Sequence, residues 1–201
     1  MNLAQGETST QVWSVQVPLE GETSTIGFTG SAGADGETAT VNRSTKVSVS
    51  QPLPDGEIYL SDLRDRVTSQ ANGWGPLEWD LSNGEDGAGD GGPISVDGVT
   101  YAKGLGMHAN GHVAFDLGGE CTAFKSIVGI DDIQGAKGSV TFIVQGDGVE
   151  LARSPELTGS SQAFAFDVNI TGVKNLKLIA DQGPATATTT PTGQAPACWR
   201  G

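Results

Sequence analysis

Apolar residues along this chain come in short alternating bursts, not in helical stripes. Ile94–Val96, Val99–Ala102, His112–Leu117, Phe124–Gly129, Ser139–Val144, Ala163–Val168 and Leu176–Ala180 each alternate apolar and polar positions or form a brief apolar run. They are separated by Gly, Asp and Asn at roughly 8–12-residue spacing, the signature of an antiparallel sandwich, with a jelly roll as the favoured topology. Phe142-Ile143-Val144-Gln145-Gly146-Asp147-Gly148 reads as a strand entering a tight hairpin through Asp-Gly. A short helix is predicted over Leu60–Ser69, with Ser61 as its cap.

The first fifty residues carry the same two-residue period in Val12, Val15 and Val17 around Trp13, then Ile26 and Phe28, then Val47 and Val49, with Gly30–Gly36 as a glycine-rich turn. About fifty residues hold too few strands for a complete core, so residues 1–51 read as a partial β-domain that has lost strands upstream of Met1. Gln51-Pro52-Leu53-Pro54-Asp55-Gly56 interrupts the pattern with two prolines and a turn pair. The expected division is 1–51 partial domain, 52–57 linker, 58–182 sandwich and 183–201 tail.

Composition agrees with many tight turns: 30 of 201 residues are glycine and only 36% are hydrophobic. Charge sets the partners. With 24 acidic against 11 basic residues the net charge is -13, which repels nucleic acid and anionic membranes and leaves neutral sugars and divalent cations compatible. Met1 is followed by the polar stretch Asn2–Thr10 and not by a signal segment. An acidic, Gly/Thr-rich, Lys-poor β chain is nonetheless expected outside the cell. Cys121 and Cys198 can pair if it is exported.

Four clusters offer chemistry, each with a plainer reading beside it. Trp74, between Gly73 and Gly75, can lie exposed on a loop where a pyranose packs on its ring, or it can be core. Lys103 and His108 flank Gly104-Leu105-Gly106, where two glycines permit a sharp turn that brings both side chains to one end of the sandwich; a structural histidine is the alternative. Asp131 and Asp132 end an apolar strand and can bind Ca²⁺ or sugar hydroxyls, or simply be solvated, as the acidic loop Asn83–Gly92 can. The hairpin at Asp147-Gly148 is structural.

In order, Tyr59–Leu63, Gly73–Gly75, Asp80, Tyr101–Ala109, Gly129–Asp132, the Gly138–Gly148 strand and turn, and Val168–Leu178 resemble the NPCBM family of carbohydrate-binding modules attached to α-galactosidases and other glycosidases. The resemblance spans about residues 57–182. It implies a jelly-roll, galactose-binding-like β-sandwich, an extracellular location, affinity for galactose-type glycans, a catalytic glycosidase domain in the parent chain, and a structural calcium in some members. Gly6-Glu7-Thr8 and Trp13-Ser14-Val15-Gln16-Val17-Pro18 resemble the end of an immunoglobulin-like domain that often precedes this module.

The match stops at Asp181. Family members close with an Asp-Gly-rich loop, a motif close to Asp-Ala-Asp-Trp-Ala and a last strand, whereas Gly183–Gly201 is a Pro/Ala/Thr run. Joining the third base of each codon to the first two of the next makes Thr189–Gln194 compatible with Asp-Ala-Asp-Trp-Ala, and Gln194–Trp199 with a final strand. The expectation is therefore a one-base slip near codon 182 that removes the last strand, exposes its neighbour and makes Cys198 an accident of frame.

Three functions are weighed. The first is a non-catalytic, monomeric binding module in which Trp74 stacks on a sugar while Lys103, His108 and Asp131 or Asp132 bond its hydroxyls. The second is a hydrolase that pairs Glu78 or Asp80 with Asp131 or Asp132. The third is a structural or adhesive spacer that binds nothing.

Overall fold

The computed structural model describes residues 24–34, 37–47, 52–84, 86–182, 191–194 and 197–200. The chain divides into two compact units, Met1–Pro52 and Leu53–Gly201. In the first, β1 (Ser24–Ala34) and β2 (Glu37–Val47) form one antiparallel hairpin in continuous register from Ser24 opposite Val47 to Ala34 opposite Glu37. Gly30–Ala34, expected in a turn, is strand. The bursts at Val12–Val17 and Val49, and the residues that resemble an immunoglobulin-like domain, lie outside the described residues.

The second unit is a sandwich of two antiparallel sheets. Its strands are β3 (Gly56–Tyr59), β4 (Val67–Ala71), β5 (Glu78–Trp79), β6 (Ile94–Val96), β7 (Val99–Tyr101), β8 (Gly104–Gly106), β9 (Gly111–Asp116), β10 (Ala123–Ile130), β11 (Ser139–Gly146), β12 (Val149–Arg153), β13 (Leu157–Thr158), β14 (Phe164–Asn169), β15 (Asn175–Asp181), β16 (Pro191–Gln194) and β17 (Ala197–Arg200). One sheet runs β12-β11-β15-β9-β4, with β13 also on β11. The other places β14 on one edge of β10 and the line of β16 and β17 on its opposite edge; beyond that line lie β3 and β8, and then β5. Between the sheets sit Leu60, Val113, Phe115, Leu117, Phe124, Val140, Ile170 and Leu176, all essentially without exposure. Each such side chain contributes about 1.5–3 kcal/mol by leaving water.

All seven strands predicted in this unit are present. The alternation is visible directly: in β14, Phe166 and Val168 face inward while Ala165, Asp167 and Asn169 face out. Asp147-Gly148, between β11 and β12, and Asp97-Gly98, between β6 and β7, have positive φ at both residues, the geometry of a two-residue I′ turn. No helix spans Leu60–Ser69. Two 3₁₀ turns, Leu60–Asp62 and Arg64–Arg66, give way to β4, and Ser61 caps nothing. Leu60 and Leu63 are core residues, so this short run turns to bury both leucines and then joins the sheet edge.

The larger correction concerns the tail. Where no strand was expected after Asp181, β16 pairs with β10 and β8, and β17 with β10 and β3. The slot of the last strand is filled by residues of the sequence as it stands. Its end is fastened from several sides. Cys198 is bonded to Cys121 across a separation of 77 residues. The Thr122 N–H and Oγ1 both donate to the Trp199 carbonyl at 2.6 and 2.9 Å. Arg200 pairs with Asp55 and Glu120, while Glu120 accepts the Leu53 N–H and faces Arg66. Trp199 lies on the outer surface with the Lys125 ammonium 5.9 Å from its ring centre.

Cross-linking residues 77 apart is expected to contribute about 3–4 kcal/mol. A Cys198→Ser chain should unfold at clearly lower denaturant concentration, and an unchanged midpoint would show that this bond does not hold the strand in place.

Candidate carbohydrate-binding site

The feature that distinguishes one end of the sandwich is a loop built to show an indole to water. Asn72–Pro76 links β4 to the approach of β5, and its Trp74 is 61% exposed. The loop is not slack. The Asn72 amide donates to the carbonyls of Trp74, Gly75 and Pro76 at 2.7, 3.1 and 2.8 Å and to Asn83 Oδ1 at 2.7 Å, while its own Oδ1 accepts the His108 N–H at 2.6 Å. The Asn83 amide donates to the Trp74 and Gly84 carbonyls, and the Gly73 N–H donates to the His108 carbonyl at 3.2 Å. A Cβ on Gly73 would stand 1.9 Å from the Ala109 carbonyl oxygen, and one on Gly106 would stand 2.4 Å from that of Leu81. Only glycine lets the three segments meet so closely.

His108 sits at the base of this loop, half-buried. Its Nδ1 lies 2.5 Å from the Ala109 carbonyl, a contact made when Nδ1 carries a proton. Nε2 is buried and has no partner among the described residues.

Asp131 and His108 lie at the same end of the sheet. Thr192 pairs with both Gly129 and Gly106, so Asp131 and His108 each follow two residues beyond that level, two strand spacings or about 10 Å apart. Both aspartates are engaged by the protein's own groups. Asp131, 2% exposed, accepts the Ser95 and Ile133 N–H groups, and Asp132 accepts the Ser95 hydroxyl at 2.5 Å and the Gly98 N–H at 3.0 Å. They tie the β6–β7 hairpin to the end of β10. Among the described residues no group of three or more His, Cys, Asp or Glu side chains gathers as a metal cage.

Lys103 lies away from the place expected for it. Gly104–Gly106 is a strand and not a sharp turn, so Lys103 and His108 leave its opposite ends, about 16 Å apart along extended chain. Lys103 bridges Asp62 at 2.5 Å and Asp80 at 3.1 Å, and these two carboxylates hold its ammonium above its usual pKa. Burial pushes the Asp80 carboxyl up, but the neighbouring Ser61 hydroxyl, the Gly104 N–H and Lys103 outweigh it and leave the pKa below the usual range. That is the wrong direction for a general acid at neutral pH. Glu78 is 3% exposed and receives the Gly89 N–H on both oxygens. The four carboxylates considered for hydrolysis are thus all bonded into the framework.

A small antiparallel sandwich that spends its carboxylates on its own loops and presents one rigid indole at its end has the build of a carbohydrate-binding module. Comparison with known proteins gives that class its family: the chain belongs to the NPCBM/NEW2 domain family, whose profile matches residues 56–193. The matched segment runs past Asp181 into β16. Among solved structures, the chain is similar to the CBM51 module of Clostridium perfringens GH95 in complex with methyl-galactose, at 26% identity and TM-score 0.63, covering 71% of this chain and 99% of that one. It is similar as well to the Clostridium perfringens ZmpB structure that joins an M60 catalytic domain to two CBM51 domains, at 26% identity and TM-score 0.62, covering 91% of this chain and 19% of that one. A curated relative, assigned as an endo-alpha-N-acetylgalactosaminidase of Renibacterium salmoninarum, is 38% identical over 179 residues. The alignment takes in 87% of this chain and only 12% of that relative.

Gly73→Ala tests the loop geometry. The added methyl group should displace the 72–76 loop or cost about 2–4 kcal/mol of stability, read as a lowered unfolding midpoint together with altered tryptophan fluorescence; a variant unchanged in both would refute the close approach.

Proposed function

We propose that this module binds a neutral galactose-type glycan at the loop end marked by Trp74 and His108, and that it serves a catalytic glycosidase domain in its parent chain without itself cutting the sugar. The observation that carries the reading is the combination of an exposed indole with a loop pinned by two asparagines. An aromatic face held still loses little entropy when a pyranose packs on it. His108 supports the indole from below, its backbone N–H on Asn72 Oδ1 and its carbonyl on the Gly73 N–H. Lys103, Asp131 and Asp132 act as positioning residues for the surrounding loops.

The galactose preference is supported by the methyl-galactose complex of the similar CBM51 module, and the accessory role by the glycosidase assigned to the relative, of which this chain matches a small part. The Cys121–Cys198 bond supports a place outside the cell, because structural disulfides persist in oxidising compartments.

Calorimetry with methyl galactoside tests the reading. Trp74→Ala should weaken binding at least about tenfold, the loss of about 1.5 kcal/mol of ring contact, while the melting temperature of this exposed position changes little. Retained affinity would move the site elsewhere, and absence of binding by the parent chain to galactosides would leave it a spacer.

A further inference from the structure

The same loop end is electrostatically one-sided. Between Arg66 and Lys103 the sequence has no Lys or Arg but six acidic residues, Glu78, Asp80, Glu85, Asp86, Asp90 and Asp97. No further cation follows Lys103 until Lys125. The fold connects the loop that carries Asp86 and Asp90 to the indole. Asn83, which bonds the Trp74 carbonyl, opens the 84–92 loop by bonding the Gly84 carbonyl, and that loop is drawn tight by the Asp90 carboxylate on the Asp86 and Gly87 N–H groups and by Glu78 on the Gly89 N–H. Those N–H bonds hold the Asp90 carboxyl below its usual pKa, so it is charged at neutral pH. Asp86 stands exposed in the same loop. On the far flank come Asp97, Asp131 and Asp132, bonded to backbone N–H groups of the β6–β7 hairpin and its neighbours, before the first cation on that side, Lys137. Lys103, the nearest cation in sequence, is already shared by Asp62 and Asp80.

From this arrangement we infer that the carboxylates around Trp74 act as a charge filter, admitting glycans with an uncharged galactose-type end and rejecting ends capped by sulfate or another anion. The inference rests on the binding site proposed above and adds its specificity. The ring of Trp74 supplies attraction that any galactose face can use, whereas an anionic substituent brought to the same loop end meets repulsion from its carboxylates that water and salt only partly screen. Specificity then comes from what the surroundings refuse.

The test compares methyl galactoside with galactose 3-sulfate and galactose 6-sulfate, using the full chain and its Asp86→Lys variant at about 20 mM and about 0.5 M NaCl. Asp86 makes no side-chain bond to the Trp74 loop, so the variant should bind methyl galactoside as the parent does. We expect the sulfated sugars to bind about tenfold more weakly than methyl galactoside at low salt, with the gap closing to about threefold or less at high salt and in Asp86→Lys. Equal affinity at low salt would overturn the filter. So would rejection of both sulfated sugars that ignores salt and the lysine, which is the behaviour of a steric block. Failure of methyl galactoside to bind under every condition would instead sink the underlying site.

Discussion

The structure depends on one strand position. The line of β16 and β17 lies between β10 on one side and β3 and β8 on the other, so its backbone groups and theirs satisfy one another across the middle of a sheet. Leaving it empty would strip partners from three strands at once and open the core above Phe124 and Leu60. The chain secures the position where the segment ends, with a disulfide to Cys121, two bonds from Thr122 and an ionic cluster of Arg200, Glu120, Arg66 and Asp55. Because β8 hangs on that line, the register that sets Gly106 against Leu81 and His108 beneath Gly73 is inherited from it.

From the strand to the ligand the chain of causes is short. Gly106 and Gly73 allow close contact, Asn72 and Asn83 convert it into hydrogen bonds, and the bonds leave Trp74 with nowhere to go but outward. Carboxylates that in another protein would do chemistry here act as local braces. Glu78, Asp90, Asp131 and Asp132 each accept backbone N–H groups that the loops would otherwise leave bare. An acidic binding module follows from this use of acid: its loops are held by anions, and the anions colour the site they build.

Much of the sandwich was legible in the sequence because alternation and Asp-Gly turns are local signals. Phe166 and Val168 against Asp167 and Asn169, or Asp147-Gly148 with its two positive φ values, need no knowledge of the rest of the chain. The Trp74 loop was legible for the same reason, since glycines flank the indole. What escaped was set by distant partners. Pro191–Gln194 carries no strand pattern and becomes a strand because β10 and β8 offer it a slot. Asn72 gains its role from Asn83 and His108, residues 11 and 36 positions away. Gly104-Leu105-Gly106 reads as a turn because glycine usually bends a chain; in the fold glycine serves close packing, and the strand it forms parts Lys103 from His108.

The central claim is that sugar meets this module at the braced loop end and not on its flat faces, where Trp199 offers the other exposed indole among the described residues. A ¹⁵N–¹H NMR titration of the full chain with methyl galactoside locates the contact directly. The account predicts that the amides of residues 72–76, 83–84 and 108–109 and the Trp74 indole N–H shift in saturable fashion. Shifts centred instead on Trp199, Lys125 and their neighbours, with the Trp74 loop silent, would contradict it.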